Sequence, residues 1–291
     1  MLALAGSIIL SSLLGVIFKY FDKYGIDTFT AVVVNYFVCV GTGFFFANKG
    51  TFSILAMISQ PWTWYAVFIG LVFIISFMIF AKSVQAIGIM VTSIFQKMSL
   101  IAPVIIGIFI FGEANTTVKW SGILLSLIAI LLVNHNKKTE NEVNNNGHQQ
   151  MFLLPLLTFV GSCVADSLIF VVEHKNLISQ NDVGFVSSIF LFAGLFGLAF
   201  LLITIRSRKI RPKDILGGLI LGVPNFFSIY FIVVALQKGM DGSIVFPLNN
   251  LGVLLLAGAF GLFLFGEKIS AAKVVGYLCS ILAILLLSFA S

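Results

Sequence analysis

Long apolar runs separated by short polar breaks set the pattern of this chain. Cutting at the breaks gives ten runs: residues 2–20, 28–47, 62–81, 88–111, 117–134, 151–172, 183–205, 215–236, 242–265 and 271–289. A helix needs roughly 20 apolar residues to cross a hydrocarbon core of about 30 Å. The pattern therefore predicts an all-α membrane protein of about ten transmembrane helices, with the lipid bilayer as its solvent. Trp62, Trp64 and Tyr65 open the third run, where an aromatic belt at the membrane interface is expected. The first run lacks a basic leader and a small-residue cleavage site, so it reads as a first span and not as a removed signal peptide. Composition strengthens the picture: 59% hydrophobic and only 10% charged residues exclude a soluble domain of ordinary kind.

The most polar break, residues 135–150, holds too little apolar content to pack and reads as a flexible linker. It divides the chain into 1–134 and 151–291, each with five runs. The halves are alike. Phe111-Gly-Glu113 recurs as Phe265-Gly-Glu267 at an offset of 154 residues. At the same offset Lys119 falls on Lys273, Gly122 on Gly276, Ser126 on Ser280, and Ala129-Ile-Leu-Leu132 on Ala283-Ile-Leu-Leu286. Apolar helices match easily by chance, but Gly, Glu, Lys, Gly and Ser in register do not, so the duplication is real. Five spans per half turn the second copy over in the membrane, which is the inverted repeat of secondary transporters.

The paired Gly-Glu motifs also resemble the signatures of the drug/metabolite transporter superfamily, EamA type, over the whole chain. The first span carries Ser11-Ser-Leu-Leu-Gly15 where many members of that family have a Trp-Gly pattern. The resemblance implies a transporter of small metabolites or drugs with no cofactor, two five-helix repeats around a central site, and alternating access of that site to the two faces.

The net charge of +6 bears on topology. The basic residues stand singly or in short loops, which is no nucleic-acid footprint. Counted at the span ends, twelve Lys and Arg collect on one face (among them Lys19, Lys23, Arg211, Lys213 and Lys273) against four on the other. The positive-inside rule then puts the linker in the cytoplasm and both termini outside an inner, plasma membrane. Cys39, Cys163 and Cys279 each stand alone in an apolar run and read as packing residues. Oligomeric state is not legible.

Lys97 is the residue that demands explanation. It lies about nine residues into the fourth run, near 14 Å deep at about 1.5 Å per residue, too deep for its side chain to snorkel easily. A cation at such depth costs at least about 2.5–3.5 kcal/mol, which marks it as functional. Six residues on, Pro103 crowds the carbonyl of Ser99 and donates no hydrogen bond, so the helix is expected to kink just past the lysine. The repeat-equivalent of Gln96 is Asn250, beside Asn249 and Pro247. Two helices, one from each half, thus carry polar groups and a break at one depth, where inverted-repeat transporters hold their site. As an alternative, the amides only join helices. Asp166 is the one acid well inside a span. It either pairs with Lys97, or the two form the anionic and cationic poles of a site for a zwitterion such as an amino acid. It is also the natural acceptor of a coupling proton. Asn35 and Asn225, the latter just after Pro224, complete the candidate substrate-binding set. Glu113 and Glu267 are assigned to tight turns ahead of the helix caps Thr116 and Ser270. Gly218 and Gly222 give the eighth span a small-xxx-small face for close helix approach.

No GxxxxGK[ST] loop and no HExxH is present, and all three histidines lie in polar breaks, which argues against direct ATP drive and against a metal enzyme. Export of amino acids or related zwitterions is the preferred reading, resting on Lys97 and Asp166. A sugar- or nucleoside-type permease and a multidrug exporter share the fold. A lipid scramblase or a membrane scaffold is the alternative of another class.

Overall fold

The computed structural model describes residues 2–46, 59–112, 116–134, 145–175, 177, 183–204, 210–237, 242–267 and 270–289. The described residues are helical apart from short turns and connections, without a strand. The first half contributes α1 (Leu2–Lys23), α2 (Thr28–Phe46), α3 (Thr63–Ile87), α4 (Ile89–Lys97), a 3-10 turn (Met98–Leu100), α5 (Ile101–Phe109) and α6 (Thr117–Asn134). The second contributes α7 (Asn145–His174), α8 (Val183–Thr204), α9 (Pro212–Gln237), α10 (Gly242–Phe263) and α11 (Ala271–Phe289). Among the described residues seven helical stretches are long and apolar enough to cross a membrane, with α4 to α5 counting as one, and three shorter apolar helices complete the ten. Large apolar side chains such as Leu124, Leu131, Phe200 and Ile203 point outward. In water such surface would be an anomaly; in lipid it is the solvent-facing side.

Helix α7 starts at Asn145, inside the stretch read from sequence as linker. Once Met151 onward is helical, adding a turn at the N-terminus fixes one residue per hydrogen bond gained, which is far cheaper than nucleation. Residues 135–144 lie outside the described set, as does Glu113.

The contacts between halves come in exchanged pairs. At the offset of 154, α1 corresponds to α7, α2 to α8, α3 to α9, α4 and α5 to α10, and α6 to α11. Helix α2 packs on α9 and α8 on α3; α1 packs on α9 and α7 on α3; α1 packs on α10 and α7 on α4. The self-related pairs α2–α8, α4–α10 and α6–α11 also touch. The exchange reaches single residues. A Cβ built on Gly43 would lie 3.1 Å from Ser187 Oγ, and one on Gly197 would lie 2.8 Å from Val33, with 43 matching 197 and 33 matching 187. Close packing is set by glycine as expected: a Cβ on Gly218 would fall 2.5 Å from Val34, and one on Gly222 2.6 Å from Val38.

The corner between α3 and α4 is the sharpest joint. Gly88 turns it with φ +113°, a conformation that side-chain-bearing residues rarely adopt. Both helix ends at the corner are closed by charges of the sign their dipoles favour. Lys19 donates to the carbonyls of Val84 and Gln85 at the end of α3, at 3.3 and 3.1 Å. Glu267, just beyond α10 in the other half, accepts from the amides of Ile89 and Met90 at 2.6 and 3.2 Å. Its own turn is made by Gly266 at φ +58°. Ser270 and Thr116 accept from the amides of Lys273 and Lys119, each at 3.3 Å, as capping requires. At the same end of the bundle Arg211 and Lys213 donate to the carbonyls of Gly25 and Tyr24, at 2.8 Å each. Lys19, Arg211 and Lys213, counted together on one face, thus share one end of the structure.

Loss of the Glu267 cap removes the partners of two amides at a helix start, so Glu267→Ala is expected to cost about 1–2 kcal/mol. Thermal melting in detergent checks this, with Glu267→Gln falling between the wild type and the alanine variant.

Candidate functional site

The site is built around the break in the fourth crossing. Pro103 offers no amide to Ser99, and the helix relaxes into the 3-10 turn Met98–Leu100 just past Lys97, as the sequence predicts. The freed carbonyl of Ser99 receives the weak thiol donor of Cys163 at 3.9 Å. Ser99 Oγ lies 2.6 Å from the carbonyl of Gln96 and 2.5 Å from Asp166 Oδ2. A residue of the break and the acid of α7 are therefore joined directly.

Between the two halves lies a cavity of about 580 Å³, in the range of sites for small molecules. Its two sides differ. Gln96, Lys97 and Ser99 from the broken crossing, Ser162 and Asp166 from α7, Asn225 from α9, and Asn249 and Asn250 from α10 make a polar side. Tyr36, Phe73, Phe77, Phe80 and Phe190 make an aromatic one. Tyr36 packs 5.9 Å from Phe77 and 6.0 Å from Phe190, ring centre to ring centre, and spends its hydroxyl on the carbonyl of Phe73 at 3.1 Å. Phe190 is also the repeat-equivalent of Tyr36, so these rings meet where the halves exchange.

Lys97 and Asp166 share the cavity but come no closer than the 4.0 Å limit of an ion pair. Each takes a neutral partner instead: Lys97 Nζ donates to Asn250 Oδ1 at 2.9 Å, and Asp166 contacts Ser99. Asn249 is held at 3.0 Å by the hydroxyl of Ser7. Asn35 does not face the cavity. It is fully buried behind Asn225, whose side-chain amide donates to Asn35 Oδ1 at 3.1 Å, while Asn35 Nδ2 has no protein partner. Glu267 does not line the cavity; its carboxylate closes the α4 N-terminus. The sequence reading assigned neither Ser99 nor Ser162 nor the phenylalanines of the aromatic side to the site. Ser99 had a signal in its position four residues before Pro103; the aromatic wall had none, because a Phe facing lipid and a Phe facing a cavity occupy the same helical spacing.

Residues 153–289 match the model of the EamA-like transporter family. The match runs through the second half of the chain, from α7 to the end of α11. That family is part of the drug/metabolite transporter superfamily whose signatures the sequence resembles, and the match together with the long apolar helices supports an integral membrane protein. An uncharacterised protein of Haemophilus influenzae is 26% identical over 216 residues, which are 73% of this chain and 71% of its own length. A solved crystal structure superposes with a TM-score of 0.61, covering 98% of this chain and 94% of the other at 14% identity. The latter shows a shared fold. The matched segment supplies Asp166, Asn225, Asn249 and Asn250, and the first half supplies Gln96 and Lys97.

The cavity can be tested by chemistry. With the other native cysteines replaced, Ser162→Cys is expected to react with a water-soluble thiol reagent and Cys39, which is fully buried, is not. Equal labelling of the two in the folded protein would contradict the assignment of the wall.

Proposed function

We propose that this protein is a secondary transporter for amino acids or related zwitterions, working as an exporter by alternating access. The observation that carries the reading is a single cavity holding a lysine and a carboxylate that are not paired with each other. Lys97 offers a cation to a substrate carboxylate, and Asp166 an anion to its ammonium. In a low-dielectric pocket both interactions are worth more than in water, and each buried charge lowers the cost of the other partner's desolvation. Gln96, Asn225, Asn249 and Asn250 supply neutral donors and acceptors beside the charges. The aromatic side supports an apolar substrate side chain.

Two ties between α4 and α10 support the alternation. Midway they meet through Lys97 and Asn250; at one end they meet through Glu267 and the amides of Ile89 and Met90. Substrate that takes the lysine from Asn250 loosens the inner tie, and rocking of the halves releases the outer one. The charge count places that latched end in the cytoplasm of a cell whose inner membrane holds the protein, with both termini outside. The hydrogen bond from Lys97 to Asn250 favours one second reading, a permease for sugars or nucleosides in which the amides recognise the solute and the lysine is structural.

Counterflow of a labelled amino-acid panel into proteoliposomes separates them. Saturable exchange by the wild type is expected, falling at least about tenfold in Lys97→Met for the loss of one charged contact. Full activity of Lys97→Met, with the protein folded in detergent, would sink the zwitterion site; saturable exchange of sugars or nucleosides would replace it.

A further inference from the structure

Hydrogen counting at Ser7 carries one step more, resting on the reading of the cavity as a zwitterion site. Gly6 and Gly252 let α1 lie close against α9 and α10: a Cβ on the first would fall 2.9 Å from Phe231, and one on the second 2.6 Å from Ile8. Ser7 is thereby fully buried and reaches both neighbours. Its Oγ lies 2.6 Å from the carbonyl of Ser228 on α9 and 3.0 Å from the side-chain amide of Asn249 on α10. A hydroxyl has one hydrogen to donate, and two oxygens 2.6 Å apart repel unless a hydrogen lies between them. The Ser228 carbonyl therefore takes it, and Oγ is left to accept. Amide nitrogen and oxygen are told apart by such networks, and here the network turns Asn249 Nδ2 toward Ser7. Asn249 Oδ1 then faces the cavity that Asn249 lines.

The neighbouring amide is set the other way. A lysine ammonium has only hydrogens to give, so its 2.9 Å contact engages Asn250 Oδ1 and leaves Asn250 Nδ2 to the cavity. Along α10 an acceptor at position 249 thus precedes a donor at position 250. The charges run in the same order. Phe111, fourteen residues past Lys97, meets His174, eight residues past Asp166, with ring centres 4.0 Å apart. Asp166 therefore lies nearer that end of the bundle than Lys97, by about 9 Å at the rise of a helix. Asn249 lies nearer the same end than Asn250, because α10 runs from there toward the Gly88 corner that Glu267 closes.

We propose that Ser7 is a positioning residue of the transport site: it turns Asn249 so that Oδ1, together with Asp166, accepts from the ammonium group of the substrate, while Asn250 Nδ2 joins Lys97 at the carboxylate. Acceptors on two helices fix the direction of an ammonium that one acceptor would leave free to swivel. With the hydroxyl gone, Asn249 is free to turn its nitrogen inward and set a donor against the ammonium. At the offset of 154 residues Ser7 falls on Gly161 and Asn249 on Phe95, so the device belongs to one side of the cavity, as each charge does.

The test uses full-length protein in proteoliposomes and counterflow of a labelled mixture of L-amino acids. Ser7→Ala is expected to raise KM at least about tenfold, the size of one hydrogen bond to a charged group, and to leave the maximal rate within about twofold, as loss of ground-state binding does. Ser7→Cys, whose thiol is a weaker partner of similar size, falls between. Asn249→Leu raises KM likewise. The deciding readout is the pair: in the Asn249→Leu background Ser7→Ala adds nothing further to KM, because a residue that acts through another has no effect once the other is gone. Effects of the two substitutions that multiply overturn the proposal, as does an unchanged KM in either single variant or a Ser7→Ala loss that falls on the maximal rate alone. If Ser7→Ala does not fold in detergent, the same cycle built on Ser7→Cys decides. Absence of wild-type counterflow overturns the transport-site reading and this proposal with it, whereas each of the other adverse outcomes leaves that reading standing.

Discussion

A helix surrounded by hydrocarbon must satisfy every backbone polar group within the protein, and the fourth crossing departs from that rule at two places. At Gly88 the chain turns a corner with bare helix ends; at Met98–Leu100 a proline downstream removes a hydrogen bond. The rest of the structure is arranged around meeting these demands. Lys19 and Glu267 close the corner with charges matched to the helix dipoles, and one of them comes from the opposite half of the chain. Cys163 and Asp166 on α7 meet the break. The same contacts that satisfy the backbone hold the two halves against each other, so the site and the packing between halves are one construction.

The scaffold is nearly symmetric and its chemistry is not. Gln96 and Asn250 correspond at the repeat offset, as do Tyr36 and Phe190, and both pairs face the cavity. The charges break the relation: Leu251 stands where the second half would repeat Lys97, and Ser12 stands where the first half would repeat Asp166. Ser12 turns inward to the carbonyl of Ile8 at 2.8 Å, a local bond with no charge to offer. Duplication supplies two matching halves; the proposed substrate, polar with distinct ends, needs poles that differ. One cation and one anion on unrelated positions give the cavity a direction.

The legible parts of this architecture were those that rest on local covalent chemistry or on repetition. Apolar run length yields the spans because the bilayer has one thickness, and Pro103 yields the break because its nitrogen carries no hydrogen wherever it sits. Gly218 and Gly222 announced a close contact through their lack of a Cβ. Asn35 shows the limit. A polar residue inside a span points to the protein interior, but whether it faces a cavity or stands behind another amide depends on a helix rotation of some tens of degrees. The α7 start shows another, since a polar sequence can be drawn into a helix by the apolar turns that follow it.

By itself the sequence determined the membrane as solvent, the doubled five-span plan, the buried lysine and the kink beside it, because each follows from the cost of exposing or charging a group in hydrocarbon. Only the tertiary structure decided that Lys97 takes Asn250 and Asp166 takes Ser99, so that the two charges face one cavity without neutralising each other. It also decided that Glu267, at the end of one half, caps the helix that carries Lys97 in the other. Those pairings span 153, 67 and 178 residues of chain. They are set by how two halves pack, and no local property of either partner states which residue it will meet.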